Sequence, residues 1–417
     1  MRAYGMIIMS KVNEIREFFP ALSRKVYGKN LVYFDNAATS QRPQAVLDRW
    51  NEISGYSNAN IHRAVHRLAD EATQAYEGAR DAVREFLNAG HREEIIFTSG
   101  TTASVNLVAF SFGEAFVCPD DEVIVTEAEH HSNIVPWQLM CERKGAVLKV
   151  LPVDDDGYLM LEKLDELITD RTRIVAVTHI SNVLGIVNPV RDIVEKCHSR
   201  GVPVLVDGAQ GIVHSRVDVQ DLDCDFYVLS GHKMYAATGT GVLYGKKKWL
   251  DAMPPYMGGG EMVGTVSFEK TTYAPLPMKF EAGTQNFASA ATFKQAIEII
   301  NLLNYNELVK YNDSVRDYLT EYFLSDERIR LYGVPRGTNE DKIPLFSFTV
   351  EGVHHEDLAL IMDKMGVAVR SGQMCAEPLM SRFGVTGMLR ASLAPYNTLE
   401  EAEYFVKCLN KAIDMLI

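Results

Sequence analysis

The chain has 417 residues, of which 47% are hydrophobic, and a formal net charge of −13. This length exceeds the roughly 250 to 300 residues that one hydrophobic core supports, so we expect two domains. No apolar run reaches the roughly 18 to 20 residues of a membrane span, and the negative charge opposes nucleic-acid binding. The N-terminus shows no targeting signal, and six scattered cysteines indicate reduced thiols in the cytoplasm.

Short apolar runs alternate with amphipathic segments between residues 31 and 245, which is typical of a mainly parallel sheet with helices on both faces. The near-continuous apolar character of these runs suits strands that are buried on both faces. Helices are predicted between them at 70–87, 102–112 and 190–200. The predicted strands are Ile95–Thr98, Glu122–Thr126, Ala146–Leu151, Arg173–Thr178, Pro203–Asp207 and Phe226–Ser230.

A turn-rich stretch at 253–260 is followed by a second part of the chain with mixed helix and strand. We therefore expect an α/β fold with a large domain at 31–300 and a smaller α+β domain at 301–417. The N-terminal segment 1–30 is expected to pack against the smaller domain. The elements predicted in the second part are a long helix at 292–324, a strand at 345–350, a helix at 356–365 and a helix from Leu399.

Polar segments follow five of the predicted strands, at the carboxyl end where an open parallel sheet binds its ligands. Taken singly, each segment has an ordinary structural explanation, such as a helix cap, a turn aspartate or a solvated surface pair. Their joint occurrence favours one shared site, because the fold gathers these strand ends together. The segments are Ser99-Gly-Thr-Thr102, Glu129-His-His131, His179-Ile-Ser-Asn182, Asp207-Gly-Ala-Gln210 and Ser230-Gly-His-Lys233.

The chemistry of these segments suits one cofactor. Hydroxyls and free N–H groups at a helix start bind phosphate, and an aspartate keeps a pyridine nitrogen protonated. An imidazole stacks on a ring, and a lysine forms an imine. The sequence therefore predicts a site for pyridoxal phosphate anchored on Lys233.

The same segments resemble the fold-type I, class V aminotransferase family, and over nearly the whole chain its cysteine desulfurase and selenocysteine lyase branch. The resemblance implies an enzyme with a large domain built on a mainly parallel sheet and a smaller C-terminal domain. Further matches are Tyr33-Phe-Asp-Asn-Ala-Ala38, Asn60-Ile-His-Arg63, Glu129-His-His-Ser-Asn-Ile-Val-Pro-Trp137, Glu281-Ala-Gly-Thr284 and Arg370-Ser-Gly-Gln-Met-Cys375-Ala.

The resemblance also implies roles for single residues. Lys233 would carry the cofactor as a Schiff base and move the Cα proton, Asp207 would pair with the pyridinium nitrogen, and His130 would stack on the ring. Gln210 would reach the phenolic oxygen of the ring. The phosphate would be held by Thr101, Thr102, Ser230 and His232, with Thr284 supplied by the second subunit of a homodimer.

Cys375 decides between the activities of this family, because transaminases need no nucleophilic thiol. It lies in a loop that contains Gly and Pro, near a cationic Arg370 that favours thiolate. The other five cysteines are expected to be small buried side chains. The resemblance implies that Cys375 takes the sulfur of L-cysteine as a persulfide and leaves L-alanine, with Arg390 holding the substrate carboxylate. Asn182 and Arg370 would assist Arg390.

The short loop around Cys375 resembles the SUF type of desulfurase, which implies a sulfur-acceptor protein and iron–sulfur cluster assembly. Many relatives have two histidines where this chain has Gln373 and Met374. Selenocysteine lyase, or another class V lyase or transaminase, therefore stays open as an alternative. A metal-dependent hydrolase is disfavoured, because the paired histidines lack an accompanying carboxylate ligand motif, and we expect no metal site.

Overall fold

The largest element of the fold is a seven-stranded sheet. The computed structural model describes residues 12–303, 306–336 and 341–417. The strands are β1 (Ile95–Thr98), β2 (Glu122–Thr126), β3 (Val147–Leu151), β4 (Thr172–Thr178), β5 (Val204–Asp207), β6 (Phe226–Ser230) and β7 (Gly241–Gly245). They lie in the order β1-β7-β6-β5-β4-β2-β3, in which β7 is antiparallel to both neighbours and all other neighbours are parallel. The predicted mainly parallel sheet is confirmed.

Helices cover both faces of this sheet. They are α1 (Gln44–Gly55), α2 (Arg67–Leu87), α3 (Thr101–Phe116), α4 (Val135–Lys144), α5 (Val190–Ser199) and α6 (Phe293–Leu303). Side chains alternate along β4, so that Val175 and Val177 enter one core while Ile174 and Ala176 enter the other. The first core is completed by α1, α2, α5 and α6, and the second by α3 and α4. This double burial explains why the strands are apolar throughout.

A smaller antiparallel sheet forms the C-terminal part of the fold. Its strands are β8 (Ile329–Tyr332), β9 (Leu345–Val350), β10 (Arg370–Gly372) and β11 (Met388–Ser392), in the order β8-β9-β11-β10. The helices of this part are α7 (Asn306–Ser325), α8 (His355–Lys364), α9 (Glu377–Phe383) and α10 (Leu399–Leu416). Side chains of α7, α8 and α10 share a core with this sheet. The short α9 lies outside that core and directly follows Cys375.

The N-terminal segment contacts both parts of the fold. The centroid of the Phe19 ring lies 5.7 Å from that of Tyr235, which follows the large sheet, and 4.6 Å from that of Tyr396 in the C-terminal part. Arg16 Nη1 donates to the Tyr396 carbonyl at 2.7 Å. A short strand, Val32–Tyr33, pairs in parallel with Val367–Ala368. Residues 1–11 lie outside the described residues, and the domain limits at 30 and 300 stay predictions.

The structure differs from the sequence expectations in the middle of the chain. The single helix predicted at 292–324 is two helices, α6 and α7, with residues 304 and 305 outside the described ranges. An unpredicted hairpin pairs Val263–Val266 with Thr271–Tyr273. Its strands are short and mostly exposed, so they carry none of the apolar alternation that marks a half-buried strand.

Candidate active site

A cavity of about 530 Å³ opens where the large sheet meets the C-terminal sheet. Its walls come from the ends of β4, β5 and β6, the loop after β2, the start of α3, and the segment that follows β10. Because parallel strands end at the same edge, residues far apart in sequence meet here. All the predicted site residues except Thr284 line the cavity: Thr101, Thr102, His130, Asn182, Asp207, Gln210, Ser230, His232, Lys233, Arg370, Cys375 and Arg390.

Lys233 and Asp207 lie at the base of the cavity, on neighbouring strand ends. Asp207 is the last residue of β5, and Lys233 ends the helical turn Gly231–Lys233 that follows β6. Burial lowers the pKa of Lys233 to about 8, and Arg390 acts in the same direction, whereas Asp207 and Cys375 oppose the shift. Burial raises the pKa of Asp207, although Asp207 Oδ1 accepts a 3.0 Å hydrogen bond from the Ala209 N–H. A buried carboxylate of this kind is stabilised by a cationic partner such as a pyridinium nitrogen.

The start of α3 forms an anion cradle. Gly100 precedes the helix and has no side chain to cap it, and its φ of 145° is a conformation that only glycine adopts readily. The Thr101 N–H donates to Ser230 Oγ at 2.9 Å, and the Ser230 hydroxyl donates to Thr101 Oγ1 at 2.9 Å. The exposed Thr102 follows on the rim. Hydroxyls and the helix N-terminus together suit a phosphate group.

His130 also lines the cavity, and Ser132 fixes its ring. Its Nδ1 accepts the Ser132 N–H at 3.1 Å and lies 2.8 Å from the Ser132 hydroxyl. The backbone bond assigns the ring proton to Nε2. Burial lowers the pKa of His130 to about 3, with further lowering from Lys233, His131 and Arg390. The ring is therefore neutral near pH 7 and is suited to stacking on an aromatic cofactor.

Gln210 and His232 are also predicted to contact the cofactor, and they lie against Ala37 and Thr39. Gln210 Nε2 donates to the Ala37 carbonyl at 2.8 Å, which fixes the amide at the cavity wall. His232 Nδ1 lies 3.2 Å from Thr39 Oγ1, and its backbone carbonyl accepts the Ser40 N–H at 3.1 Å. Burial lowers the pKa of His232 to about 4, and Lys233 and Arg42 act in the same direction.

Arg390 lies on β11 with its guanidinium facing the cavity, and 3% of its side chain is exposed. Nη1 donates to the Asn182 carbonyl at 2.8 Å, and Nη2 donates to Asp35 Oδ1 at 3.2 Å. Nε is buried without a hydrogen-bond partner among the described residues. Arg370 Nη1 lies 3.7 Å from Asp35 Oδ2. Two guanidinium groups, one with an unused N–H, suit the carboxylate of a small substrate.

Cys375 closes the cavity from the C-terminal side and is exposed. It and Met374 both have a φ of 54°, in the left-handed region that side chains disfavour. Of the other five cysteines, four are buried as predicted, but Cys118 is exposed, so the expectation was wrong there. Burial raises the pKa of the Cys141 thiol to about 11 and that of Cys197 to about 12. Buried thiols of this kind are unreactive, which sets Cys375 apart.

Several residues that line the cavity received no role from the sequence. Asp35, which pairs with Arg390, lies in the matched segment Tyr33-Phe-Asp-Asn-Ala-Ala38, so the segment pointed to it without indicating its task. Ser132 also lies in a matched segment. The unassigned residues are Asp35, Ala37, Ala38, Thr39, Arg42, Ser132, Thr178, Ile180, Ala209, Thr238 and Met374.

Thr284 is exposed and does not line this chain's own cavity. Within the described ranges, no three His, Cys, Asp or Glu side chains are grouped so as to hold a metal ion. No helix in the described part of the chain is long and apolar enough to cross a membrane.

The donor set fits pyridoxal phosphate. A lysine whose amine has no hydrogen-bond or ion-pair partner among the described residues, a buried aspartate and an anion cradle meet at one sheet edge. The doubly covered, mainly parallel sheet and this site define the class of pyridoxal-phosphate enzymes of fold-type I.

The chain belongs to the aminotransferase class-V family, whose profile matches residues 32–405. It is 46% identical over 406 residues to a cysteine desulfurase of Enterobacter sp. (strain 638), covering 97% of this chain and 99% of that protein. It is 44% identical over 400 residues to a cysteine desulfurase of Synechococcus elongatus, covering 96% of this chain but 63% of that protein.

Among solved structures, the cysteine desulfurase CsdA (S-sulfonic acid) from Escherichia coli matches with a TM-score of 0.88 and 39% identity. The match covers 97% of this chain and 99% of that one. The predicted family resemblance, fold class and pyridoxal-phosphate cofactor are confirmed.

Proposed function

We propose that this protein is a pyridoxal-phosphate-dependent cysteine desulfurase, which converts L-cysteine to L-alanine and forms a persulfide on Cys375. One observation carries the proposal: Lys233, the carboxylate-binding Arg390 and the exposed Cys375 line a single cavity. A transaminase would need the first two of these groups but not the thiol. The relatives named cysteine desulfurase, at 44–46% identity, support the same activity.

The chain's own residues bind and orient the substrate. Arg390 holds the α-carboxylate through its buried guanidinium, with Arg370 and Asn182 assisting from the cavity wall. Pyridoxal phosphate, when bound on Lys233, supplies an electron sink for the pair released at Cα. The substrate amine would replace Lys233 on the cofactor, and the freed Lys233 amine accepts the Cα proton, a task suited to a base whose pKa burial has lowered to about 8.

Sulfur transfer then takes place at the Cys375 side of the cavity. The Cys375 thiolate attacks the substrate sulfur, so that an S–S bond forms and the substrate C–S bond breaks. The electron pair of the broken bond stays with the substrate β-carbon, which takes up a proton to become the methyl group of alanine. Lys233 returns a proton to Cα, which completes the product. Persulfide formation therefore needs no external oxidant or reductant, whereas release of the sulfur as sulfide needs an added thiol as reductant.

The test compares Cys375→Ala with the wild type in the holoenzyme, measuring alanine and sulfide produced from L-cysteine with dithiothreitol present to discharge the persulfide. We expect the variant to lose at least about 100-fold in alanine formation while its cofactor absorbance is retained. Cys118→Ala is the matched control, because Cys118 is also exposed but does not line the cavity. Undiminished alanine formation by Cys375→Ala would show that the persulfide mechanism is wrong.

The persulfide on Cys375 is passed to a sulfur-acceptor protein for iron–sulfur cluster assembly, as in the SUF type of desulfurase. The exposure of Cys375 and the short segment between β10 and α9 support this assignment, because the thiol is tethered close to the cavity and an acceptor must approach it.

None of the six cysteines forms a disulfide, which supports a cytoplasmic location.

The active unit is a homodimer in which Thr284 completes the phosphate site of the other subunit. Exposed apolar side chains support this: Val65, Val266 and Phe268 are largely uncovered, and Arg63 pairs with Glu261 at 3.2 Å, which joins their two segments. Sedimentation should give twice the 46.6 kDa chain mass. A monomer with full cofactor occupancy would contradict the assignment.

A further inference from the structure

Two hydrogen bonds join the segment that carries Cys375 to the loop that carries His130, and His131 makes both of them. Its backbone N–H donates to the Cys375 carbonyl at 2.7 Å, and its ring Nε2 accepts the Glu377 N–H at 3.0 Å. We propose that His131 is a positioning residue that fixes the Cys375 thiol relative to the cofactor-binding side of the cavity.

The backbone around the thiol needs such support. Met374 and Cys375 are consecutive left-handed residues, and this conformation persists only where neighbouring contacts determine it. Before the thiol, Asn182 Nδ2 donates to the Met374 carbonyl at 2.8 Å, and the Met374 side chain packs in a cluster with Val183 and Leu184. His131 supplies the matching contacts at Cys375 itself and after it.

The His131 end of the tie is rigid. His131 begins the helical turn His131–Asn133, and Asn133 Nδ2 donates to the buried Glu129 carboxylate at 2.7 Å. Glu129 also accepts the Thr178 N–H at 2.7 Å, which anchors the turn to the end of β4. These hydrogen bonds fix the position of the Cys375 carbonyl relative to the large sheet, whose strand ends carry Asp207 and Lys233.

The inference rests on the proposed desulfurase activity and adds a requirement to it. Attack on the substrate sulfur needs the thiol within bonding reach and in line, whereas holding the substrate carboxylate depends on Arg390. Loss of the His131 ring contact should therefore lower kcat and leave the KM for L-cysteine nearly unchanged. A residue that merely stabilised the fold would alter cofactor content or both kinetic constants.

The test uses holoenzyme variants at position 131. His131→Leu removes the ring acceptor, and His131→Gln restores a carbonyl acceptor on a side chain of similar length. His354→Leu is the matched control, because His354 Nδ1 accepts the Glu356 N–H at 3.3 Å at the start of α8, away from the cavity. The measurements are kcat and KM for L-cysteine, cofactor absorbance, and hydrogen exchange at the Glu377 amide.

For His131→Leu we expect kcat to fall about tenfold with KM within about twofold, and exchange at Glu377 to become about tenfold faster. His131→Gln should recover most of both losses, and His354→Leu should match the wild type. Unchanged kcat in His131→Leu despite faster exchange would overturn the proposal, as would a Gln variant no better than the Leu variant. Absence of activity in the wild type would instead refute the desulfurase function, because exchange at Glu377 reports on the contact independently.

Discussion

The two ends of the cavity are built by opposite means. Asp207 ends β5 and Lys233 follows the neighbouring strand β6 of a sheet that is covered on both faces, so their positions follow from strand pairing. Cys375 lies on a short connection between β10 and α9, in a backbone conformation that side chains disfavour. Its place depends on individual hydrogen bonds from His131 and Asn182.

This difference matches the two tasks. In the proposed reaction, the cofactor end must keep a lysine amine reactive, and burial favours this by lowering the pKa of Lys233 to about 8. The thiol end of the proposed reaction must take sulfur inside the cavity and present it outside, which suits the exposure of Cys375 and its separable contacts. Substitutions at the cofactor end should therefore abolish all chemistry, whereas those at the thiol end should spare cofactor binding.

The largest expected effect is that of Lys233→Ala. Without the amine there is neither a covalent anchor for the cofactor nor a base for the Cα proton, so kcat/KM should fall by at least about 10⁴-fold. The absorbance of the lysine-bound cofactor should disappear, whereas it should persist in Cys375→Ala. Retention of that absorbance in purified Lys233→Ala would show that another group anchors the cofactor.

The same contrast decides how much the sequence predicted. Residues on strand ends, such as Asp207 and Lys233, were assigned to one site because apolar runs mark strands and parallel strands end at one edge. Asp35 was missed as a partner of Arg390, because their side-chain hydrogen bond joins residues 355 positions apart. An isolated β-bridge between Asp35 and Ser392 brings the two segments together, and no apolar periodicity marks it. The role of His131 was missed for a similar reason. Its contacts are a backbone amide and a ring nitrogen that meet Cys375 and Glu377 only in the folded chain.

A second substitution separates substrate binding from sulfur transfer. Arg390→Lys keeps a positive charge but loses the planar pair of N–H donors, so the KM for L-cysteine should rise by about 10- to 100-fold. The rate at which iodoacetamide alkylates Cys375 should change little, because the thiol contacts are untouched. An unchanged KM would mean that Arg370 alone holds the carboxylate.

The pH dependence of the rate at which the cofactor-free protein binds pyridoxal phosphate should report the pKa of the buried Lys233 amine. Neutral Lys233 attacks the aldehyde, so the rate should rise about tenfold per pH unit below pH 7.5 and level off above about pH 8. An exposed lysine would keep rising past pH 9, since its pKa is about 10.4. Asp207→Asn should move the midpoint to lower pH, because the Asp207 carboxylate raises the pKa of Lys233 against the effect of burial. A midpoint above about pH 10 would show that Lys233 is solvated.

The smallest effect is expected at Ser132, which supports His130 between the two ends of the cavity. Ser132→Ala removes the hydroxyl that lies 2.8 Å from His130 Nδ1 but keeps the backbone N–H that donates to the same atom at 3.1 Å. The ring should therefore retain its Nε2 proton, and kcat should fall only about threefold, the cost of one neutral hydrogen bond. Ser23→Ala, which removes a hydroxyl bonded to the Pro20 carbonyl on the surface, is the control. A loss above about 100-fold would mean that the Ser132 hydroxyl takes part in proton transfer, because support of the ring alone cannot account for so large an effect.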